Sequence, residues 1–327
     1  MLNYENEQKR LLELVEKELN NIIPSKEPKQ LYDAYSYVMS GGGKRIRPLL
    51  TMLSAASLNA KPEEALQAGL AIEILHNFTL VHDDIMDHSP IRRGRTTVHL
   101  KWNEETAILT GDMMVGWAYR ALPQNHKNIT RLTQELSTAL VDVCEGQQFD
   151  TEFNQKSDVT MDEYIRMIEL KTSALLRCCT RMGAVIGNCN ETQYNSLDKF
   201  ALNFGIAFQI QDDILDMTAN QLKFGKKIGQ DILEGKKSYT ILKAAELAKD
   251  PEDIDLINKY MNSKNGLPEE YIEKFKILFN KLDIFNIGQM AVDYYITKSL
   301  SYIKDLPNED YKMFLHNFIN SLNKRIY

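Results

Sequence analysis

ETQYNSLDKFALNFGIAFQIQDDILDMTA occupies residues 191–219 and reads as one long helix. Its large apolar side chains recur at Leu197, Phe200, Phe204, Phe208 and Leu215, in steps of three, four and seven that keep them on one helical face. It lies in a stretch with no proline between Pro123 and Pro251, so the strongest helix breaker is missing from the middle of the chain. The same period continues in both directions. It predicts helices at 5–22, 29–39, 45–59, 63–88, 104–121, 129–153 and 161–188 before this one, and at 237–249, 254–263, 269–281, 284–304 and 308–325 after it. Alternation of the strand type, bounded by turn residues, is nearly absent. The fold class is therefore all-α. The one irregular segment inside the body, Asn220 to Lys237, carries Gly225, Gly229, Gly235 and a cluster of lysines and reads as a mobile loop.

With 327 residues, 43% hydrophobic and 26% charged, the chain buries a large core, and no linker divides it. A single domain over residues 1–327 is expected. A formal net charge of −6 excludes a general nucleic-acid binder, so any phosphate site must be local. No apolar run of about 18 residues appears, so no membrane span is expected. Cys144, Cys178, Cys179 and Cys189 show neither C-x-x-C nor zinc-type spacing, and no signal peptide precedes them, which points to a reducing cytoplasm.

The quoted helix ends in Phe208-Gln209-Ile210-Gln211-Asp212-Asp213-Ile214-Leu215-Asp216, and the same pattern closes an earlier one, Phe78-Thr79-Leu80-Val81-His82-Asp83-Asp84-Ile85-Met86-Asp87. In each, the outer aspartates stand four residues apart, close to one turn, so both reach one cation, while the middle one points about 100° around the axis. A lone D-D-x-x-D reads equally well as a solvated helix end. Two copies in apolar surroundings are harder to dismiss, because crowded carboxylates repel unless a cation joins them. If the two helices face each other, six carboxylates surround one cavity, and hard oxygen donors with room for water and phosphate suit Mg2+.

Two basic elements accompany them. Ser40-Gly41-Gly42-Gly43-Lys44-Arg45-Ile46-Arg47-Pro48 sets glycines that admit close backbone approach beside three cations, an arrangement fit for an anion; it lacks P-loop spacing and a preceding strand. Arg92-Arg93-Gly94 follows Pro90 in a turn, where adjacent arginines point in different directions and serve two neighbouring anions. Taken alone, each also reads as a basic surface turn.

These motifs, in this order and over nearly the whole chain, resemble the trans-type polyprenyl synthetases, the family of farnesyl and geranylgeranyl diphosphate synthases. Further matches are His76, Lys171-Thr172, Gln209 and Gly235-Lys236. The resemblance implies an isoprenoid-synthase-type helical bundle around a deep central cavity, and head-to-tail condensation of isopentenyl diphosphate with allylic diphosphates (dimethylallyl, geranyl, farnesyl). It implies that Gly43, Lys44, Arg47, His76 and Arg93 hold the isopentenyl diphosphate. Arg92, Lys171, Lys226 or Lys227, and Lys236 would hold the allylic diphosphate. Asp83, Asp87 and Asp212 would be the principal ligands of three Mg2+ ions, with Asp84, Asp213 and Asp216 coordinating or supporting them. Thr172 and Gln209 would form a polar pair near the reacting carbons, the loop after Asn220 a lid, and the active form a homodimer.

Phe78 lies five residues before Asp83, about 7.5 Å along the helix axis from the metal end, where with Thr79 it would floor the chain pocket; a bulky aromatic there resembles the short-chain members of the family, which implies a C20 product over C15. Phe78 also reads simply as core. The sequence departs from many relatives at Ser238-Tyr239-Thr240, where they have a threonine-leucine-proline run. Three other readings fit parts of the sequence: a non-catalytic regulatory subunit, which would not need intact aspartates and lysines; a terpene cyclase, which usually carries a hydroxyl-containing metal triad in place of the second D-D-x-x-D; and a plain phosphate- or metal-binding module.

Overall fold

The computed structural model describes residues 3–22, 26–218 and 228–324, and they are almost entirely helical, as the periodicity requires. The elements are α1 (Tyr4–Ile22), α2 (Lys29–Met39), α3 (Ile46–Ala56), a 3-10 turn (Pro62–Ala65), α4 (Leu66–Met86), a hairpin of β1 (Ile91–Arg92) and β2 (Arg95–Thr96), α5 (Val98–Lys101), α6 (Glu104–Ala121) and α7 (Ile129–Phe153). There follow α8 (Met161–Ile168), a π-helical turn (Glu169–Ser173), α9 (Ala174–Ile186), α10 (Glu191–Thr218), α11 (Gln230–Glu234), α12 (Tyr239–Leu247), α13 (Pro251–Met261), α14 (Glu270–Lys281), α15 (Ile284–Tyr302) and α16 (Glu309–Lys324). Among the described residues, no helix is long and apolar enough to cross a membrane.

Contacts divide the chain into two compact units. The first comprises Met1–Leu140, Leu175–Asp198 and Lys304–His316; the second comprises Val141–Ala174, Lys199–Ile303 and Asn317–Tyr327.

In the first unit α4 is the central helix. Leu70, Ala71, Ile72, Ile74, Leu75, Phe78 and Val81 are all buried, and Glu73 and Asn77 are buried on the other face, as befits a helix surrounded by others. It packs against α3 and most closely against α6. The close approach to α6 depends on Gly111, where a Cβ would stand 2.2 Å from His82 Nε2. Asn103 starts α6 by accepting the Thr106 N–H at 2.8 Å, the expected N-cap bond. The hairpin was not expected. Arg92 pairs with Arg95, so the loop is only Arg93-Gly94, with φ of 52° and 72°, the two-residue primed turn whose twist suits antiparallel strands.

In the second unit Tyr164, Phe200, Ile210, Tyr260, Phe275 and Phe279 form the core. Two sequence expectations change here. The helix expected over 161–188 is continuous only through a π turn at Glu169–Ser173, a widening that the side-chain period does not register. The segment expected to be a loop over 220–237 contains α11, bounded by Gly229 and Gly235 with φ of 74° and 77°. It is held by tertiary bonds: the Asp216 carboxylate accepts the N–H groups of Gln230 at 3.1 Å and Asp231 at 3.2 Å. Gly225, Lys226 and Lys227 lie outside the described residues.

Candidate active site

Both aspartate motifs fall at helix C-terminal ends. Asp83 and Asp84 lie in the last turn of α4, with Asp87 as its C-cap, and Asp212, Asp213 and Asp216 lie in the last two turns of α10. This is the electrostatically unfavourable end for carboxylates, since the helix dipole already presents partial negative charge there. Local structure gains nothing from the placement, which fits a demand for cations.

The three aspartates of each motif are not equivalent. In the first unit Asp84 is buried, and Arg92 donates to its Oδ1 through Nε at 2.8 Å and Nη2 at 2.6 Å. Burial pushes the Asp84 carboxyl up, and Arg92 offsets only part of this. Asp83 is half-buried and Asp87 exposed. In the second unit Asp213 is the buried one. It accepts hydrogen bonds from Tyr164 Oη at 2.6 Å, Gln209 Nε2 at 2.9 Å and the Tyr239 backbone N–H at 2.7 Å. Burial pushes its carboxyl up, against these three bonds. Asp212 is exposed, and Asp216 is tied to the start of α11. Asp84 and Asp213 thus fix their helix ends, leaving Asp83, Asp87 and Asp212 as the more accessible carboxylates.

Among the described residues, no three Asp, Glu, His or Cys side chains gather into a metal-holding group. That arrangement still fits Mg2+, which is commonly held by one or two carboxylates together with substrate phosphates and water rather than by an all-protein cage.

The first unit also gathers the glycine-rich segment, α4 and the hairpin. Arg93 donates to the Gly42 carbonyl and, at 3.3 Å, to Asn77 Oδ1, and a Cβ on Gly43 would stand 3.3 Å from the Arg93 guanidinium carbon. At a φ of 143°, Gly43 occupies a backbone region that side-chain-bearing residues rarely adopt. Arg45 is used structurally: it is buried, with Nη1 3.0 Å from Glu73 and Nε 2.7 Å from Glu16. Arg47 and Arg93 have no ion pair among the described residues, and the buried Nε of Arg47 has no hydrogen-bond partner. Burial lowers both guanidinium values. His76 lies within this cationic field; burial, then Arg47, Arg93, Arg92 and Arg45, hold its imidazole well below the ordinary value, so it is neutral. Lys44 is exposed at the edge. Phe78 is 8% exposed and meets the His82 ring edge-on at 4.8 Å, while Thr79 donates to the His76 carbonyl at 2.8 Å.

In the second unit the π turn presents Lys171 and Thr172. Thr172 Oγ1 donates to Gln209 Oε1 at 2.8 Å, and Gln209 Nε2 donates in turn to Asp213 Oδ1 at 2.9 Å, so the two side chains are hydrogen-bonded to each other. Lys171 and Lys236 meet on Asp150, with Nζ to Oδ2 distances of 2.7 and 3.0 Å. Burial would raise the Asp150 carboxyl, but the two lysines bring it down to about 2. Asp150 was missed by sequence reasoning. A single aspartate on a long helix carries no signal until the fold brings two distant lysines to it.

The model of the polyprenyl synthetase family matches residues 28–277 of this chain. The chain is 39% identical over 272 residues to the short chain isoprenyl diphosphate synthase of Methanocaldococcus jannaschii, covering 83% of this chain and 82% of that protein. It is 37% identical over 298 residues to the geranylgeranyl diphosphate synthase of Sulfolobus acidocaldarius, covering 90% and 88%. A crystal structure of a geranylgeranyl pyrophosphate synthase superposes with a TM-score of 0.90 at 37% identity, covering 96% of this chain and 98% of that one.

Proposed function

Because the chain belongs to the polyprenyl synthetase family, we propose that it condenses isopentenyl diphosphate head to tail with allylic diphosphates and releases a short all-trans prenyl diphosphate, with C20 favoured. It is a prenyltransferase of isoprenoid biosynthesis. The observation that carries the substrate assignment is the cationic cluster of the first unit, where Arg47 and Arg93 have no ion pair among the described residues and their charge, added to burial, keeps His76 neutral. A field of that kind calls for an anion with several oxygens, and a diphosphate supplies it.

In this reading Lys44, Arg47, His76 and Arg93 bind isopentenyl diphosphate, with Gly43 letting the backbone approach. Arg92, Lys171 and Lys236 bind the allylic diphosphate, together with Lys226 or Lys227. Asp83, Asp87 and Asp212 are the Mg2+ ligands, supported by Asp84, Asp213 and Asp216. Bound Mg2+, three ions per site, would neutralise the diphosphate as it leaves. The cations of the chain share that task and hold the leaving group where it departs. Thr172 and Gln209 present oxygen dipoles to the cation-like allylic carbon. The double bond of isopentenyl diphosphate attacks that carbon, and a proton is then lost to the released diphosphate. Phe78 and Thr79 limit the chain. The protein would act as a cytoplasmic homodimer with one catalytic domain per chain.

The test is product length. Purified protein is given Mg2+, labelled isopentenyl diphosphate and, separately, C5, C10 or C15 allylic diphosphates, with Phe78→Ala alongside. Mainly C20 product, lengthened in the variant, supports the reading; C15 corrects the length. Folded protein with no product from any starter means a regulatory subunit instead.

A further inference from the structure

Tyr260, in the last turn of α13, is fully buried, with its ring fixed edge-on to Phe275 at 5.2 Å. Its hydroxyl donates a three-centre hydrogen bond to two backbone carbonyls, those of Asp231 and Lys236, each at 2.8 Å. Burial, then Asp231, Asp216 and Glu234, keep this hydroxyl far above its ordinary ionisation range, so it remains a donor. The two carbonyls bound the turn that ends α11, which also closes through the Lys236 N–H on the Asp231 carbonyl at 3.0 Å. At one end of that turn, the N–H groups of Gln230 and Asp231 sit on the Asp216 carboxylate. At the other, Lys236 Nζ sits on Asp150 beside Lys171. One hydroxyl therefore joins the end of the second aspartate motif to the lysine pair. Next to it, Lys237 Nζ lies 5.0 Å from the Tyr260 ring centroid and donates to the Gly235 carbonyl at 3.4 Å, which adds to the hold on the same turn.

We infer that Tyr260 is a positioning residue for the allylic half of the reaction: its hydroxyl sets the 231–236 turn so that Lys236 reaches the diphosphate site in register with Lys171. The inference rests on the role given to Lys236 above. Replacing the hydroxyl by hydrogen keeps the ring packing but leaves two buried carbonyls without this donor, so the turn relaxes and Lys236 loses its place.

The experiment compares Tyr260→Phe, Lys236→Ala and the double variant at saturating Mg2+, measuring both substrate KM values and thermal melting. The expected result for Tyr260→Phe is a KM for the allylic diphosphate raised about 3- to 10-fold, the loss produced by one buried hydrogen bond, with the KM for isopentenyl diphosphate unchanged. In the Lys236→Ala background the same substitution adds nothing to the allylic KM. Equal effects on both substrates, or an undiminished effect without Lys236, reduce Tyr260 to a structural residue and overturn the inference. A raised allylic KM in Lys236→Ala beside an unchanged one in Tyr260→Phe also overturns it, while leaving the lysine assignment intact. No change in Lys236→Ala removes that assignment, and the inference with it.

Discussion

Lys171 and Lys236, far apart in sequence, meet on the same oxygen of Asp150, one arriving from the π turn after α8 and the other from the end of α11. The three residues form a two-to-one cluster of cations and anion with a net positive charge, held mostly out of water.

Removing that carboxylate leaves two ammonium groups facing each other. Asp150→Ala is expected to cost about 3 kcal/mol of stability, the usual scale for breaking a buried pair, as read by urea denaturation. The acid limb gives the sign. The folded Asp150 carboxyl is lowered from 3.8 to about 2, so its contribution is full above pH 4 and disappears as pH falls toward 2. It amounts to about 2 kcal/mol by linkage, and Asp150→Asn should flatten this part of the stability profile.

Arg47 illustrates the opposite case, a buried cation whose desolvation costs stability. Burial lowers its guanidinium value and its Nε has no partner. Arg47→Met should raise the melting temperature by about 2 °C, the shift for roughly 1 kcal/mol in a chain of this class. The same variant should raise the KM for isopentenyl diphosphate at least tenfold. A melting temperature that falls would mean that Arg47 is satisfied in the folded protein.

His76 yields a prediction in a milder pH range. Its folded value lies well below 6.5, so under mildly acidic conditions the unfolded chain takes up a proton that the folded one refuses. Stability from this group is therefore full above about pH 7 and is lost as pH falls through 6.5, at up to about 1.4 kcal/mol per pH unit. Chemical denaturation of the wild type and His76→Gln between pH 5.5 and 7.5 should differ by this slope. Parallel curves would place His76 in an ordinary aqueous environment.

Gly111→Ala puts a methyl group where the His82 imidazole now lies, 2.2 Å from Nε2. The ring has little freedom, with its Nε2 3.2 Å from the Ile108 carbonyl and the Phe78 ring edge-on to it at 4.8 Å. The expected loss is about 1–3 kcal/mol from overpacking, measured by denaturant titration. A wild-type midpoint would mean that α4 and α6 separate easily, contrary to their close packing.

Much of the architecture was legible from side-chain period alone. The expected helices over 29–39, 104–121 and 129–153 coincide with α2, α6 and α7, and the two D-D-x-x-D spacings located the ends of α4 and α10. These features are local: a helical face, a four-residue spacing and a run without proline are properties of a few neighbouring residues, and propensity registers them directly. The rest depended on partners distant in the chain. Spacing turned Asp84 and Asp213 about 100° away from the outer aspartates, but it did not show that they are buried and held by Arg92, Tyr164 and the Tyr239 backbone. Asp150 and Tyr260 had no motif at all. Their importance comes from the groups that folding brings to them, two lysine ammoniums and two carbonyl oxygens, and the one-dimensional order of residues does not record such meetings. The sequence by itself determined the helices and the kind of chemistry their ends can perform; the tertiary structure decided which carboxylates stay accessible and which hold the machinery in place, because burial and hydrogen bonding are properties of the packed chain.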